Sequence, residues 1–351
     1  MSNRTYSQDE LSAVLKGFGI TDQTDVSRYG SGHINDTFKV ETKRGVRYIL
    51  QRVTDAFDKD ILKSNIIRVT NHLKSKGVKT LDVLGYENPW RLYAFLEGYT
   101  SVDVITDPAQ AELAAGAFAA FQNALADLPE PQLLPVIPKF HDTVDRIRLL
   151  DEAAAADIKG RKASVQAELD FVNRRREEAA KIVTMMAKGE IPERITHNDT
   201  KINNVMLAPD GTNVVIDLDT TMPGSALYDF GDMVRTATCT AEEDEEDLSK
   251  VVMQLPFFES LAEGYLDAAH EFLTDGEIEQ LAFAGWLITA EIGMRFLTDY
   301  LDGDKYFRTE KPEHNLIRAR NQLALARSIE SNIPRMERYI RRLIKSYKNK
   351  R

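Results

Sequence analysis

The segment Thr196–Asp219, THNDTKINNVMLAPDGTNVVIDLD, carries residues whose types and spacing could move a phosphoryl group. That chemistry needs a carboxylate to orient and deprotonate an acceptor hydroxyl, and oxygen ligands for a Mg²⁺ that bridges the phosphates. A kinase-type catalytic loop sets its base Asp two residues after a His, and a metal-binding Asn five residues after that Asp. Here Asp199 stands two residues after His197, and Asn204 five residues after Asp199. Val205–Leu207, the turn Pro209-Asp210-Gly211 and Val214–Ile216 read as a hairpin that ends at Asp217, 18 residues beyond Asp199. Three polar residues at three matching spacings are hard to explain as packing. The pattern predicts Asp199 as catalytic base and Asn204 and Asp217 as Mg²⁺ ligands. Lys201 either neutralises charge on the transferred phosphate or is a solvated loop lysine. His197 is expected to buttress the loop through hydrogen bonds.

Two further motifs need weighing. Asp229-Phe230-Gly231 spells a metal-binding triplet, but it lies 30 residues past Asp199 and lacks a preceding hairpin. Asp229 is therefore expected to brace the loop, and Asp217 to take the metal. Gly30-Ser31-Gly32-His33-Ile34-Asn35 sits between two strand-like runs. Glycines let backbone amides approach phosphate, although a tight hairpin needs them equally. Upstream of a complete catalytic loop, Gly30, Ser31 and Gly32 read as a phosphate lid. No GxxxxGK[ST] occurs, so a P-loop is unsupported.

These residues must be positioned by surrounding elements. Residues 26–53 alternate in strand fashion around a Gly45 turn, Asp60–Lys76 has helical spacing and a Gly77 stop, and strand-like runs surround Leu81–Gly85 and Arg91–Leu96. After Thr100 the texture turns helical. Helices are expected over Ala109–Leu128, with Asp107 as cap and Pro108 in the first turn, and over Ala163–Lys188, Pro256–Phe272, Ile278–Leu301 and Asn315–Lys345. The fold expected is α+β and bilobal. Residues 1–98 form an antiparallel sheet with one main helix and bind nucleotide; residues 99–351 form a mostly helical catalytic and substrate-binding lobe.

Composition narrows the partners. A net charge of −10 argues against nucleic acid, whose phosphates need a basic surface. The acidic run Glu242–Asp247 is expected to be a solvated helix start. One cysteine, Cys239, excludes a disulfide framework or a cysteine zinc site. No membrane-spanning stretch or signal peptide is expected, and a cytoplasmic monomer fits these features.

The motifs resemble the aminoglycoside phosphotransferase and choline kinase branch of the protein-kinase-like fold. Absence of Ala-Pro-Glu and of an evident activation loop after Asp217 argues against a protein kinase. GHIN (32–35), RYILQ (47–51), THNDTK (196–201), IDLDT (216–220), MPGS (222–225), GMRFL (293–297), DYL (299–301) and PEHNL (312–316) resemble stretches of the bacterial N-acetylhexosamine 1-kinases within that branch. The resemblance spans nearly the whole chain. It implies ATP- and Mg²⁺-dependent phosphorylation of N-acetylglucosamine or N-acetylgalactosamine at the anomeric hydroxyl. It also implies sugar contacts from His33, Asn198, Asp199, Arg295 and Tyr306, and adenine against the strand and hinge holding Tyr93, Phe95 and Glu97. Arg295 could equally be in a helix ion pair, and Tyr306 a packed aromatic.

One departure stands out. The strand lysine that anchors the α/β-phosphates is absent, Gln51 occupies its slot, and the helix Asp60–Lys76 has no glutamate to pair with it. Loss of both is consistent, because one alone would leave a buried unpaired charge. A kinase of a cationic alcohol and a non-catalytic pseudokinase are the competing readings. Arg295 opposes the first, and intact Asp199, Asn204 and Asp217 oppose the second. Asp199→Ala should lower kcat by roughly 10²–10⁴-fold with little effect on ATP affinity. Near-wild-type turnover in steady-state assays would refute the mechanism.

Overall fold

The computed structural model describes residues 5–30, 35–102 and 104–350. Ser31, Gly32 and His33, expected in the lid and the sugar site, lie outside them. Helix α1 (Gln8–Gly17) starts at a capping box in which Ser7 and Glu10 satisfy each other's backbone amides. It is followed by strands β1 (Gln23–Arg28), β2 (Asp36–Thr42) and β3 (Arg47–Arg52), helix α2 (Lys59–Ser75), and strands β4 (Val83–Glu87) and β5 (Trp90–Ala94). The strands form one antiparallel sheet in the order β1-β2-β3-β5-β4.

Period-two alternation splits this sheet into two chemically different faces. Val26, Phe38, Val40, Leu50, Trp90 and Leu92 pack with Leu11 and Leu15 of α1 in a small core of their own. The intervening residues Thr37, Gln51 and Arg91 meet on the other face, toward the helical part of the chain. Leu62, Ile66, Val69 and Leu73 of α2 join the main core, and Asn65 Nδ2 donates to the carbonyls of Leu134 and Thr221.

Strand β6 (Thr100–Ser101) leads to α3 (Pro108–Leu125), which starts as expected at an Asp107 cap with Pro108 in its first turn. There follow α4 (Thr143–Ala156), α5 (Gln166–Asn173), α6 (Arg176–Ala179), α7 (Lys181–Ala187), β7 (Arg194–Thr196), β8 (Val205–Leu207), β9 (Asn213–Val215) and β10 (Met222–Gly224). The chain then runs through α8 (Ala226–Ala237), α9 (Leu255–Ala269), α10 (Asp275–Leu301) and α11 (His314–Lys350). The expected hairpin is β8–β9, with β6 added on the β8 edge.

Several expectations are corrected. The helix expected over Ala163–Lys188 is three short ones after a 3₁₀ turn. The first break, at 174–175, falls where Arg175 pairs with Glu330 and Arg176 with Asp151, so tertiary pins override local propensity there. Helices α4 and α8 were not expected. Eleven of the twelve residues of α8 are buried, charged Asp229, Asp232 and Arg235 among them, so a stripe that reads as solvent-facing is interior. The acidic run 242–247 is irregular chain. Glu243 pairs with Arg235, and Asp244 with His314 and Lys311. Finally, α10 is long and apolar enough to cross a membrane by composition, but 78% of its apolar window is buried in this fold. It packs against α4, α8 and α11.

Helices α3 and α9 approach so closely that a Cβ on Gly264 would sit 2.1 Å from the Glu112 carbonyl oxygen. A Cβ on Gly116 would meet its nearest atom, the Gly264 carbonyl oxygen, at an ordinary 3.5 Å. Gly264→Ala should therefore cost roughly 1–3 kcal/mol through overpacking. Gly116→Ala should be neutral or slightly stabilising, because alanine is the better helix former. Urea melts of the two variants check the contrast.

Candidate active site

Strands β7 and β10 pair antiparallel and enclose the loop 197–204 between them and the 3₁₀ turn Ile202–Asn204. Asp229, fully buried near the start of α8, accepts from the backbone N–H of His197 (2.9 Å) and Asn198 (2.7 Å) and from Gln122 Nε2 (2.6 Å). Burial pushes its carboxyl up, against the opposing pull of His197 and these donors. The Asp229 carbonyl accepts from Thr200 Oγ1 at 2.6 Å. Asp229 thus braces the loop, as its distance from Asp199 implied. His197 is equally buried. Its Nε2 donates to the Ile216 carbonyl at 2.8 Å, its Nδ1 accepts the Asp199 N–H at 3.3 Å, and Phe118 and Phe121 meet its ring edge-on.

Asn198 adopts left-handed backbone (φ 63°) and turns its amide inward. Nδ2 donates to the carbonyls of Thr196, Thr220 and Met222, and Oδ1 accepts from Thr196 Oγ1. The side chain expected to touch sugar is therefore buried and committed to the backbone. The next residue, Asp199, is half-buried, and Asn204 Nδ2 donates to its carbonyl (2.8 Å) and to its carboxylate (3.2 Å).

Asp217 ends the β8–β9 hairpin in left-handed backbone (φ 54°), its surface open. Its carboxylate makes no hydrogen bond or ion pair among the described residues. Surrounding protein, then Asp219 and Asp199, push it up to about 7 against the pull of Arg91 and Lys201. Because the side chain is solvent-open, the neighbouring carboxylates are the firmer cause of that direction. An unpartnered carboxylate among like charges, next to Ile216 whose N–H donates to the Asn204 carbonyl (2.9 Å), makes with the Asn204 side-chain oxygen a hard oxygen set that suits Mg²⁺. Lys201 is half-buried; its charge reaches Asp217 and also Asp232 and Glu243, both of which pair with Arg235.

Behind this loop lies a buried histidine that motif reading missed. His141 Nδ1 is 2.9 Å from Glu291 Oε1 on α10, and Nε2 is 2.9 Å from the Asn198 carbonyl. Two acceptors on two ring nitrogens call for an imidazolium. Burial alone would lower its pKa, but Glu291 and the carbonyl outweigh it and hold it above the ordinary value. One turn along α10, the Arg295 guanidinium lies over Phe140 (4.9 Å), Phe307 (5.7 Å) and Tyr306 (5.9 Å). Arg295 makes no ion pair among the described residues, so the helix-pair alternative is not what this site contains. Tyr306 is 53% exposed, which sets aside the packed-aromatic alternative. Its loop hangs on Asp299, one further turn along α10, whose carboxylate accepts the N–H groups of Lys305, Tyr306 and Phe307 and Asn315 Nδ2.

On the sheet side, Gly30 has φ 78° at the end of β1. Phe95 is flanked by Tyr29 edge-on and by the Arg47 guanidinium at 4.6 Å, and Arg47 pairs with exposed Glu97. Tyr93 is buried in β5 between Ile49 of β3 and Val83 of β4, so its ring is not the exposed surface expected for adenine. Gln51 Oε1 accepts from Arg91 Nε at 3.0 Å, and Arg91 Nη1 donates to Asp219 Oδ1 at 2.6 Å. Neither Arg91 nor Asp219 stood out in the sequence; a charged residue in a strand among buried positions was the available signal.

Comparison with known proteins agrees with this arrangement. The structure is similar to an ethanolamine kinase of Plasmodium vivax (TM-score 0.62, 15% identity, 92% of this chain and 91% of that one covered). It is also similar to a choline kinase from Streptococcus pneumoniae (0.59, 12%, 93% and 100%). A third similar structure is an aminoglycoside phosphotransferase from Alicyclobacillus acidocaldarius (0.61, 12%, 95% and 98%). At such identities the likeness shows a shared protein-kinase-like fold. The sequence itself matches the family described as Phosphotransferase enzyme family over residues 25–276, a span that holds the braced loop, Asp217 and Asp229 and ends before Arg295 and Tyr306. With most of its length inside that match, this chain belongs to the phosphotransferase enzyme family.

Proposed function

We propose that this small-molecule phosphotransferase moves the γ-phosphoryl group of ATP onto the anomeric hydroxyl of an N-acetylhexosamine, with N-acetylglucosamine and N-acetylgalactosamine as candidate acceptors. The observation that carries the choice of acceptor is Arg295, which makes no ion pair among the described residues, is framed by Phe140, Tyr306 and Phe307, and lies near the His141 that backs the loop. A guanidinium there offers donors to sugar oxygens, and aromatic rings offer faces to a pyranose. Residues 1–98 would hold the nucleotide, and residues 99–351 the catalytic groups and the acceptor.

In this reading Asp199 orients the hydroxyl and takes its proton as the new O–P bond forms and the bond from the γ-phosphorus to ADP breaks. A hemiacetal hydroxyl is more acidic than a simple alcohol, so a carboxylate suffices as base. Asn204 and Asp217 would hold Mg²⁺, which supplies charge neutralisation at the phosphates. Lys201, between Asp217 and Asp232, lends positive charge on the same side.

A cationic alcohol is the second reading, favoured by the choline and ethanolamine kinases among the similar structures. Such a substrate needs carboxylates free to meet it. Near the loop Glu291 is answered by His141, Asp232 by Arg235, and Asp299 by backbone amides. Arg295 would repel the cation.

A panel of free sugars, choline, ethanolamine and aminoglycosides with ATP, followed by NMR of the phosphorylated carbon, should give sugar 1-phosphate. Phosphate at C6, or transfer to cationic alcohols alone, would reject the proposal. Arg295→Gln should raise the sugar KM roughly 10–100-fold, the worth of a charged hydrogen bond, with the ATP KM little changed. Asp217→Asn should raise the Mg²⁺ concentration needed for activity, whereas Asp229→Asn should mainly lower the melting temperature. Mg²⁺ titrations and thermal melts of both variants separate these roles.

A further inference from the structure

Position 51 on β3 holds an uncharged side chain where a phosphate-anchoring lysine would stand, yet a positive charge is present one strand away. Thr37, Gln51 and Arg91 are direct cross-strand partners along β2, β3 and β5. Their side chains form one transverse rung: Gln51 Nε2 donates to Thr37 Oγ1 (2.9 Å), and Arg91 Nε donates to Gln51 Oε1 (3.0 Å). The rung ends across the cleft on Asp219. One oxygen of Asp219 accepts from Arg91 Nη1 (2.6 Å) and the other from Asn35 Nδ2 (2.7 Å). Asn35 in turn accepts the Thr54 N–H at 3.1 Å. Both charged side chains are buried, 1% and 6% exposed.

Packing alone does not account for this rung. A buried ion pair is commonly replaceable by apolar side chains without loss of stability. This one joins the sheet to the turn Leu218–Thr220, directly after Asp217. Three carboxylates, Asp199, Asp217 and Asp219, act on one another there. Arg91 neutralises the one that neither takes the acceptor proton nor faces a metal.

We infer that Arg91 is a positioning residue for phosphoryl transfer: from β5 it supplies the fixed positive charge, absent from β3, that holds Asp219, and in that way it sets Asp217 against the nucleotide phosphates. Gln51 is then the spacer that aims the guanidinium, and the missing lysine and missing helix glutamate are replaced together by Arg91 and Asp219. The inference rests on the nucleotide half of the proposed function and is independent of the acceptor.

The test is binding of a fluorescent ATP analogue with and without Mg²⁺, which needs no acceptor, alongside thermal melts. Arg91→Gln should weaken Mg²⁺-dependent binding about 10–100-fold, as loss of a group that orients a metal ligand does, and leave Mg²⁺-free binding little changed. The double variant Gln51→Lys/Arg91→Gln returns the charge to β3 and should regain about tenfold of that loss. The inference is overturned if Arg91→Gln lowers the melting temperature while Mg²⁺-dependent binding stays within about threefold of wild type. It is equally overturned if the double variant binds no better than Arg91→Gln. Should Arg91→Gln not fold, Asp219→Asn keeps the shape of the carboxylate while removing its charge, and Mg²⁺-dependent binding within about threefold of wild type in that variant overturns the inference in the same way.

Discussion

The site depends first on one buried carboxylate. Asp229 gathers two consecutive backbone N–H groups, those of His197 and Asn198, and Gln122 fixes it from the other side. The backbone of His197 aims these two amides at the carboxylate, and the left-handed turn at Asn198 that follows redirects the chain. Asp199 follows at once, so its direction is set by atoms that take no part in the reaction. Gln122 is itself held by the Tyr265 hydroxyl at 2.6 Å, which ties the loop to α3, α8 and α9 together.

The second constraint is the separation of charge from core in the sheet. Alternation gives α1 a wholly apolar face and reserves the opposite face for the Thr37, Gln51 and Arg91 rung. A strand shifted by one residue would exchange the two sets and leave a guanidinium in the small core. Register and ion pair therefore enforce each other. Removing one partner of such a buried pair costs roughly 3–5 kcal/mol, enough to penalise a slipped sheet heavily.

What was legible in the sequence was local. The loop with Asp199 and Asn204 runs directly into the hairpin that ends at Asp217, so one short segment carries all three. The antiparallel sheet and the long helices followed from periodicity. Contacts that join distant segments were not legible: His141 reaches Glu291 across 150 residues, and Arg91 reaches Asp219 across 128. Asn198 shows the opposite error, since a polar residue beside the base invited a ligand role that its three backbone carbonyls take instead. Helix α8 escaped notice because its charged stripe, Asp229, Asp232 and Arg235, is buried rather than solvated. The acidic run 242–247 misled because its partners, Arg235, His314 and Lys311, come from elsewhere in the chain.

Helix α10 spaces Glu291, Arg295 and Asp299 four residues apart, about 6 Å per step along one side of a single rigid rod. The first residue reaches the back of the base through His141, the second lies among the aromatic rings, and the third suspends the loop bearing Tyr306. In the proposed function, donor and acceptor recognition would thus be mounted on different frames, the sheet and the rod. A lineage of such chains can exchange the middle residue for a new substrate while both ends keep the rod aligned. Inserting one residue between them would turn everything beyond it by about 100° and break their common alignment. Substitution is an open route to new acceptors in this architecture, and change of length is a closed one.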